Sequence, residues 1–182
     1  MISMLKYLVT MFVRRRACLK SVMSDPNTLL NKVEDLHAER LKQLDIKLLA
    51  LDFDGVLSYH GAERPSDSVI NWLQQLDVTF SLENVCIYSN NLFSVRVDFL
   101  NHYFPTMKII YYTKKKPYPD DLLREMQRRN LAPGDILVVD DRLTSGILSA
   151  CIIGAKAMVV RSPVVNYQKD TIKEYYFRIV RI

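Results

Sequence analysis

Two carboxylates, Asp52 and Asp54, stand at the end of an apolar run in the stretch LLALDFDGVLSYH, residues 48–60. Side chains two residues apart in an extended strand point the same way, so both acids face one side. Gly55 follows them and lets the chain turn sharply away from the strand. Such a pair suits chemistry in which one carboxylate attacks as a nucleophile and the other moves a proton.

Polar residues follow three further apolar runs. Ser89 and Asn90 follow ENVCIY, the triple lysine 114–116 follows MKIIYYT, and Asp140 and Asp141 end DILVVDD. If these runs are parallel strands, their carboxyl ends meet at one crevice. Clustered carboxylates there need a cation, and oxygen ligands beside a phosphate suit Mg²⁺. A lysine would balance the charge and hold a phosphoryl oxygen. The sequence therefore favours an aspartyl-phosphate mechanism.

Strands and helices alternate along most of the chain, and each predicted strand is an almost unbroken apolar run. This pattern is typical of a parallel sheet covered on both faces. We predict an α/β fold: a doubly wound, mostly parallel five-stranded sheet with helices on both faces. The predicted strands are IKLLALD, ENVCIYSN, MKIIYYT, DILVVDD and AKAMVVR; the predicted helices between them are SDSVINWLQQL, capped by Ser66, then LFSVRVDFLNHYF, PDDLLREMQRRN and RLTSGILSACIIG. Two more helices are predicted, over residues 26–44 and 166–182.

The segments DFDGVL, YSNN, KKKP and VVDD, in this order, resemble the four motifs of the haloacid dehalogenase (HAD) superfamily of phosphatases. The resemblance implies that Asp52 is the nucleophile. Asp54 would be the acid that protonates the leaving group and then the base that activates water. Lys116 would stabilise the phosphoaspartate. The metal would be Mg²⁺, and its ligands would be Asp52, Asp54 (through its backbone carbonyl), Asp140 and Asp141.

Three residues are predicted to contact the substrate. The resemblance implies that Ser89 would hold the phosphoryl oxygens. Asn90 is predicted to bind the substrate beside it, and Arg142 to meet the headgroup. Only 34 residues separate Asp54 from Ser89, and 26 separate Ser89 from Lys116. Neither gap can hold the large cap domain that closes many HAD enzymes. We therefore expect an open crevice and a substrate that is large or embedded in something large.

Residues 26–182 are similar throughout to the YqeG-like branch of the superfamily and its mitochondrial relatives, the phosphatidylglycerophosphate phosphatases. The implied reaction removes the terminal phosphate from phosphatidylglycerophosphate and gives phosphatidylglycerol, a precursor of cardiolipin. The fourth motif departs from this branch, which usually has Gly-Asp and a second acid five residues later; here the positions are Asp140 and Gly146. We expect Asp140 to supply the missing carboxylate.

Two alternatives stay open on the residues alone. One is a HAD phosphatase of a soluble sugar phosphate, nucleotide or phosphoprotein. The other is a binding protein that keeps the fold and has lost turnover.

The N-terminal segment, residues 1–24, carries five basic residues and no acid, which accounts for the whole net charge of +5. This distribution argues against a nucleic-acid binder. Leu5, Leu8, Val9 and Phe12 fall on one helical face. We interpret the segment as an amphipathic membrane-contact helix or a mitochondrial targeting segment, set before a phosphatase domain at 25–182. The alternative is a helix packed on the domain with a solvated basic end.

The expected partners are a phospholipid substrate and a membrane surface. The expected location is peripheral to a membrane, on the cytoplasmic face in a bacterium or the matrix side of a mitochondrion in a eukaryote. Cys18, Cys86 and Cys151 are odd in number and distant in sequence. That spacing predicts neither a disulfide framework nor a zinc site and suits a reducing compartment.

Overall fold

The computed structural model describes residues 3–164. Six strands form one sheet in the order β1-β6-β5-β2-β3-β4, and every pair is parallel. The strands are β1 (Leu29–Leu30), β2 (Leu48–Leu51), β3 (Val85–Ile87), β4 (Lys108–Ile109), β5 (Ile136–Asp140) and β6 (Lys156–Val160). The predicted doubly wound α/β fold is confirmed, although the sheet has six strands and not five.

Seven α-helices accompany the sheet. They are α1 (Met4–Arg14), α2 (Arg16–Ser24), α3 (Ala38–Gln43), α4 (Asp67–Phe80), α5 (Ser94–Tyr103), α6 (Asp120–Arg128) and α7 (Leu148–Ile153), and a π-helical segment, Leu143–Ile147, leads into α7. Ser66 caps α4 by accepting a hydrogen bond from the backbone N–H of Val69, as predicted. Gly154 ends α7 in the left-handed conformation, which glycine adopts without steric cost.

The sheet separates two hydrophobic clusters. One contains side chains of α3, α4 and α5, and the other contains side chains of α2, α6 and α7. Alternate residues of the central strand face opposite sides: Leu49 lies in the first cluster and Leu48 in the second. Helices therefore cover both faces, which is why the strands have no polar face.

The sixth strand lies in the segment predicted as a single helix over residues 26–44, and that prediction is wrong. The segment forms a 3₁₀ turn at Pro26–Thr28, strand β1, a second 3₁₀ turn at Val33–Asp35 and then α3. The carboxylate of Asp35 accepts a hydrogen bond from the N–H of Lys32 and closes a local turn. The edge of β6 offers backbone partners that β1 takes, because a sheet edge presents unpaired N–H and C=O groups.

The two N-terminal helices differ in their packing. In α2, Leu19 and Val22 are buried against the second cluster, whereas no residue of α1 is buried. Within residues 3–164, no helix is both long and apolar enough to cross a membrane. The helix predicted over residues 166–182 lies outside the described residues.

Cys18 of α2 and Cys151 of α7 form a disulfide, so the prediction of no disulfide is wrong. The two residues are 133 positions apart in sequence, but α2 packs beside α7 and brings their Cα atoms to 5.9 Å. That separation lies within the usual range for bonded cysteines. Cys86 is a free thiol buried in β3.

Candidate active site

The carboxyl ends of β2 and β5, which are neighbours in the sheet, bring three acids together. Asp52, Asp140 and Asp141 each place a carboxylate oxygen within 4.8 Å of the others. All three are almost fully buried, with at most 1% of their surface exposed. Residues of two motifs that are distant in the chain therefore lie together at one edge of the sheet.

Lys116 enters the same cluster from the loop after β4. Its Nζ lies 2.9 Å from Asp52 Oδ1 and 2.6 Å from Asp140 Oδ2, and its side chain is 1% exposed. Arg142 approaches from the other side, with Nη2 at 3.7 Å from Asp52 Oδ2. Three formal negative charges thus face two positive ones, which leaves one net negative charge for a cation to balance.

The charges around Asp52 decide its ionisation. Burial acts to raise the pKa of Asp52, but the positive charges of Lys116 and Arg142 outweigh it and hold the pKa below its usual value. Burial acts to lower the pKa of Lys116, but Asp140 and Asp52 outweigh it and raise that pKa. Asp52 is therefore a carboxylate at neutral pH, which is the form that can attack phosphorus.

The backbone of Lys116 is held by Asn90. The N–H of Lys116 donates to Asn90 Oδ1 at 2.7 Å, and Asn90 Nδ2 donates to the carbonyl of Lys116 at 3.3 Å. Asn90, which was predicted to contact the substrate, thus holds the backbone of Lys116 in place. Ser89, also predicted to bind substrate, is buried and accepts a hydrogen bond from the N–H of Asn91 at 3.4 Å.

Asp140 receives hydrogen bonds from several protein donors. Its Oδ1 accepts from the N–H of Arg142 at 2.8 Å, and its Oδ2 accepts from Lys116 Nζ and from the N–H of Gly146 at 3.0 Å. Asp141 lies beside it, with Oδ1 at 3.5 Å from Arg142 Nε. The fourth motif therefore supplies two buried carboxylates, of which Asp140 also anchors Lys116.

Asp54 points into a different environment, and its carboxylate is not part of the three-acid cluster. Its Oδ1 accepts from the N–H of Gly61 at 3.0 Å and from Arg96 Nη2 at 2.9 Å. Its Oδ2 accepts from Asn91 Nδ2 at 3.1 Å, and His60 Nδ1 lies 3.9 Å away. Asp54 is thereby held by three segments: the loop after β2, the loop after β3 and α5.

Sequence reasoning missed Arg96, Asn91 and Tyr88. The ring of Tyr88 lies 5.1 Å from Lys116 Nζ, and burial, the largest cause, raises the pKa of its hydroxyl to about 12. Asn91 had a signal in the sequence, because it belongs to the same YSNN segment as Ser89. Arg96 had no such signal in the sequence, since a single arginine in a predicted helix usually lies on the protein surface.

A short flap, residues 55–66, leads from Asp54 to α4. Its first turn is closed by the N–H of Gly55, which donates to the carbonyl of Ser58 at 2.7 Å. A groove of about 560 Å³ lies between the flap and α5, with Tyr59, Arg64, Val95 and Phe99 among its lining residues. Between Asp54 and Lys116 the chain forms only this flap, two helices, two strands and short turns, so no large cap domain is inserted in this part of the chain.

The cluster of buried carboxylates fits a hard divalent cation. Mg²⁺ prefers oxygen ligands, takes few protein carboxylates and leaves room for water and a phosphate. The oxygens of Asp52, Asp140 and Asp141 provide such a set, and the net negative charge around them favours a cation.

A doubly wound sheet with an acid pair after β2, a serine after β3, a lysine after β4 and acids after β5 defines a HAD-like phosphatase. The family model described as mitochondrial PGP phosphatase matches residues 3–165, and the chain belongs to that family. No match was found among curated proteins. The predicted function, a phosphatidylglycerophosphate phosphatase, is therefore confirmed, and so is the predicted superfamily.

Proposed function

We propose that this phosphatase acts through a phosphoaspartate on Asp52, with Mg²⁺ as its cofactor. The observation that carries the proposal is the buried carboxylate of Asp52, 2.9 Å from Lys116 Nζ and within a three-acid cluster. Asp52 attacks the terminal phosphorus of phosphatidylglycerophosphate. The bond from phosphorus to the glycerol oxygen breaks, and its electron pair leaves with that oxygen.

Asp54 acts as the acid and then as the base. In its protonated form it gives its proton to the departing glycerol oxygen, which yields phosphatidylglycerol. As a carboxylate it then takes a proton from a water molecule, whose oxygen attacks the phosphoaspartate and releases Asp52 and inorganic phosphate. The net reaction consumes one water molecule and restores both acids.

The remaining residues bind and balance charge. Lys116 and Arg142 flank Asp52 and supply the positive charge that a phosphoryl group entering the crevice requires. Ser89 donates a hydrogen bond from its hydroxyl to a phosphoryl oxygen, and Asn90 keeps Lys116 in place through its backbone.

Asp52, Asp141 and Asp140, with the backbone carbonyl of Asp54, would hold Mg²⁺. When bound, the metal neutralises phosphoryl charge and orients the phosphate for in-line attack.

We also propose that α1 lies against a phospholipid bilayer. Leu5, Val9 and Phe12 are exposed at 71%, 52% and 38%, and basic residues 14–16 follow them. The ring of Tyr7 stacks on that of Tyr118 at 4.1 Å, which places α1 beside the loop that carries Lys116. Exposed apolar and basic groups would therefore meet the membrane next to the crevice.

The same loop adds support for this membrane contact. Tyr111 and Tyr112 are exposed at 61% and 38%, and Lys115 lies 5.8 Å from the ring centroid of Tyr112. Tyrosine and lysine together suit the boundary between lipid headgroups and water. The family name supports a mitochondrial location, and we propose a peripheral position on the matrix side.

Phosphate release from phosphatidylglycerophosphate in mixed micelles tests the mechanism. Wild type and Asp52→Asn are compared with Mg²⁺ and with chelator. We expect release that depends on Mg²⁺ and disappears in Asp52→Asn, because the amide cannot form the phosphoaspartate. Release that persists in chelator would exclude Mg²⁺ as the required cofactor, and full activity of Asp52→Asn would exclude the nucleophile.

A further inference from the structure

Arg96 is a fully buried cation inside the domain. Its side chain is 0% exposed, and its guanidinium lies between two aromatic rings, 3.7 Å from the centroid of Phe53 and 4.5 Å from that of Phe93. Burying a charge is costly unless it is paired and hydrogen-bonded. An apolar residue could fill a position between two phenylalanines, so the charge itself needs an explanation.

The hydrogen bonds of Arg96 join three separate segments. Nη2 donates to Asp54 Oδ1 at 2.9 Å, and Nε donates to the carbonyl of Ala62 in the flap at 3.0 Å. Nη1 donates to the carbonyl of Asn91, in the loop after β3. A guanidinium carries its donors in a rigid planar fork, which lysine cannot reproduce.

The arrangement immobilises the carboxylate of Asp54. One oxygen is shared by Arg96 and the N–H of Gly61, and the other accepts from Asn91. Gly61 and Ala62 belong to the flap, so Arg96 links the orientation of Asp54 to the conformation of the flap. The rings of Phe53 and Phe93 lie against the guanidinium that holds this network.

We propose that Arg96 is a positioning residue for proton transfer by Asp54: it orients the carboxylate and fixes the flap around the leaving group. This inference rests on the proposed function of Asp54 as acid and base. The hydrogen bonds of Arg96 go to the carboxylate of Asp54 and to backbone carbonyls, and none goes to the three-acid cluster. The contribution of Arg96 should therefore depend on how much the leaving group needs a proton.

Leaving groups separate this role from a purely structural one. The glycerol oxygen of phosphatidylglycerophosphate leaves as a strongly basic alkoxide and requires protonation as its bond to phosphorus breaks. 4-Nitrophenolate is a weakly basic anion and leaves without a proton. A variant that misplaces Asp54 should lose kcat/KM on the lipid and retain kcat/KM on 4-nitrophenyl phosphate. This parameter covers formation of the phosphoaspartate and not its later hydrolysis, in which Asp54 acts as the base for both substrates. A variant that loosens the fold should lose kcat/KM on both.

The test compares kcat/KM on both substrates for Arg96→Lys and for Phe93→Leu, which removes a ring contact and leaves the ion pair. We expect Arg96→Lys to lose about 10- to 100-fold on the lipid, which is part of the roughly 100- to 10,000-fold that general acid–base catalysis contributes. The loss on 4-nitrophenyl phosphate should be less than about threefold. Phe93→Leu should affect both substrates equally. Equal losses on both substrates in Arg96→Lys would overturn the proposal.

A double-mutant cycle keeps the proposal testable if Arg96→Lys folds poorly. Asp54→Asn with Arg96→Gln replaces both charges and leaves neither buried alone. Once Asp54 is an amide, Arg96→Gln should cost much less on the lipid than it costs in the wild type, because the two residues act together in proton transfer. If the two substitutions lower kcat/KM on the lipid by independent factors that multiply, the proposed role of Arg96 is wrong, while that of Asp54 stands. If Asp54→Asn retains wild-type kcat/KM on the lipid, Asp54 is not the acid, and the proposed role of Arg96 is then wrong as well.

Discussion

Gly146 and Asp140 are packed so closely that no side chain fits at position 146. A Cβ placed on Gly146 would lie 2.4 Å from Asp140 Oδ2, and the N–H of Gly146 donates to that same oxygen. The acid expected at the later position of the fourth motif is therefore excluded by the acid at the earlier one. The aspartate at 140 and the glycine at 146, which both depart from the usual motif, are therefore structurally linked. The carboxylate of Asp140 occupies the space that a side chain at 146 would need.

Gly146→Ala should damage both stability and activity. The added methyl group must displace the carboxylate of Asp140, which holds Lys116, so we expect about 1–3 kcal/mol less unfolding free energy and at least about tenfold lower turnover. Urea denaturation and phosphate release measure the two effects. Gly134→Ala is the matched control, because its Cβ would meet only Lys156 Nζ at 3.9 Å. Wild-type turnover in Gly146→Ala would show that the carboxylate position is not required.

Lys116→Met should abolish turnover, whereas Lys115→Met should not. Lys116 is buried between Asp52 and Asp140, and removing it leaves two buried carboxylates without their nearest cation. Breaking a buried pair in this way costs about 3–5 kcal/mol of unfolding free energy. Lys115 is exposed in the same loop and serves as the control. Thermal unfolding in chelator measures the stability, and an unchanged midpoint for Lys116→Met would contradict the ion-pair argument.

The residues that lie together at the carboxyl edge of the sheet had a signal in the sequence. Asp52, Asp140 and Asp141 stand where apolar strands end, Lys116 lies in the loop after another strand, and parallel strands end at one edge of a sheet. Their mutual distances, and the use of Asn90 to hold the backbone of Lys116, depend on loop conformation. Loop conformation has no periodic signal in a sequence.

The predictions that were wrong or incomplete all concern features that depend on tertiary contacts. The apolar spacing in residues 26–44 suits a helix, but β1 forms there because the edge of β6 needs backbone partners. The disulfide between Cys18 and Cys151 depends on α2 packing beside α7, which spacing does not reveal. Arg96 follows the same rule, because two of its partners, Ala62 and Asp54, lie 34 and 42 residues away along the chain.

Glu125 should make the stability of the protein depend on acid pH. Hydrogen bonds from Arg128 lower its pKa most, burial opposes them, and Arg129 adds to the lowering, which brings the pKa from 4.5 to about 2. A lowered folded-state pKa means that this stabilisation is complete above pH 4.5 and is lost as the pH falls toward about 2. The urea midpoint of Glu125→Gln should lie below that of wild type at pH 6. The two midpoints should converge as the pH approaches about 2.

Glu39→Gln is the control for this pH dependence. Glu39 is exposed on α3 and makes no ion pair among residues 3–164, so its variant should keep a urea midpoint close to that of wild type at pH 6. A constant offset between wild type and Glu125→Gln from pH 6 to pH 2 would contradict the predicted role of the carboxylate.

Reduction of the disulfide should destabilise the domain. The bond closes a loop across 133 residues and ties α2 to α7, so its loss should lower the unfolding free energy by about 2–4 kcal/mol. Thermal unfolding of the wild type with and without dithiothreitol measures this. Cys18→Ser should unfold at the reduced midpoint and be insensitive to the reductant. A wild-type midpoint that does not move on reduction would show that α2 stays docked by its apolar contacts alone.

Polar substitutions on the outer face of α1 should separate membrane binding from chemistry. Leu5→Ser with Val9→Ser removes two exposed apolar side chains and leaves the buried contacts of α2 intact. Partial burial of each side chain in lipid is worth about 1 kcal/mol, so binding to vesicles that contain phosphatidylglycerol should weaken about tenfold or more. Turnover of 4-nitrophenyl phosphate should not change. Val78→Ser, an exposed apolar position on α4, is the matched control and should bind like wild type. If the α1 variant sediments with vesicles as wild type does, the bilayer must contact another surface.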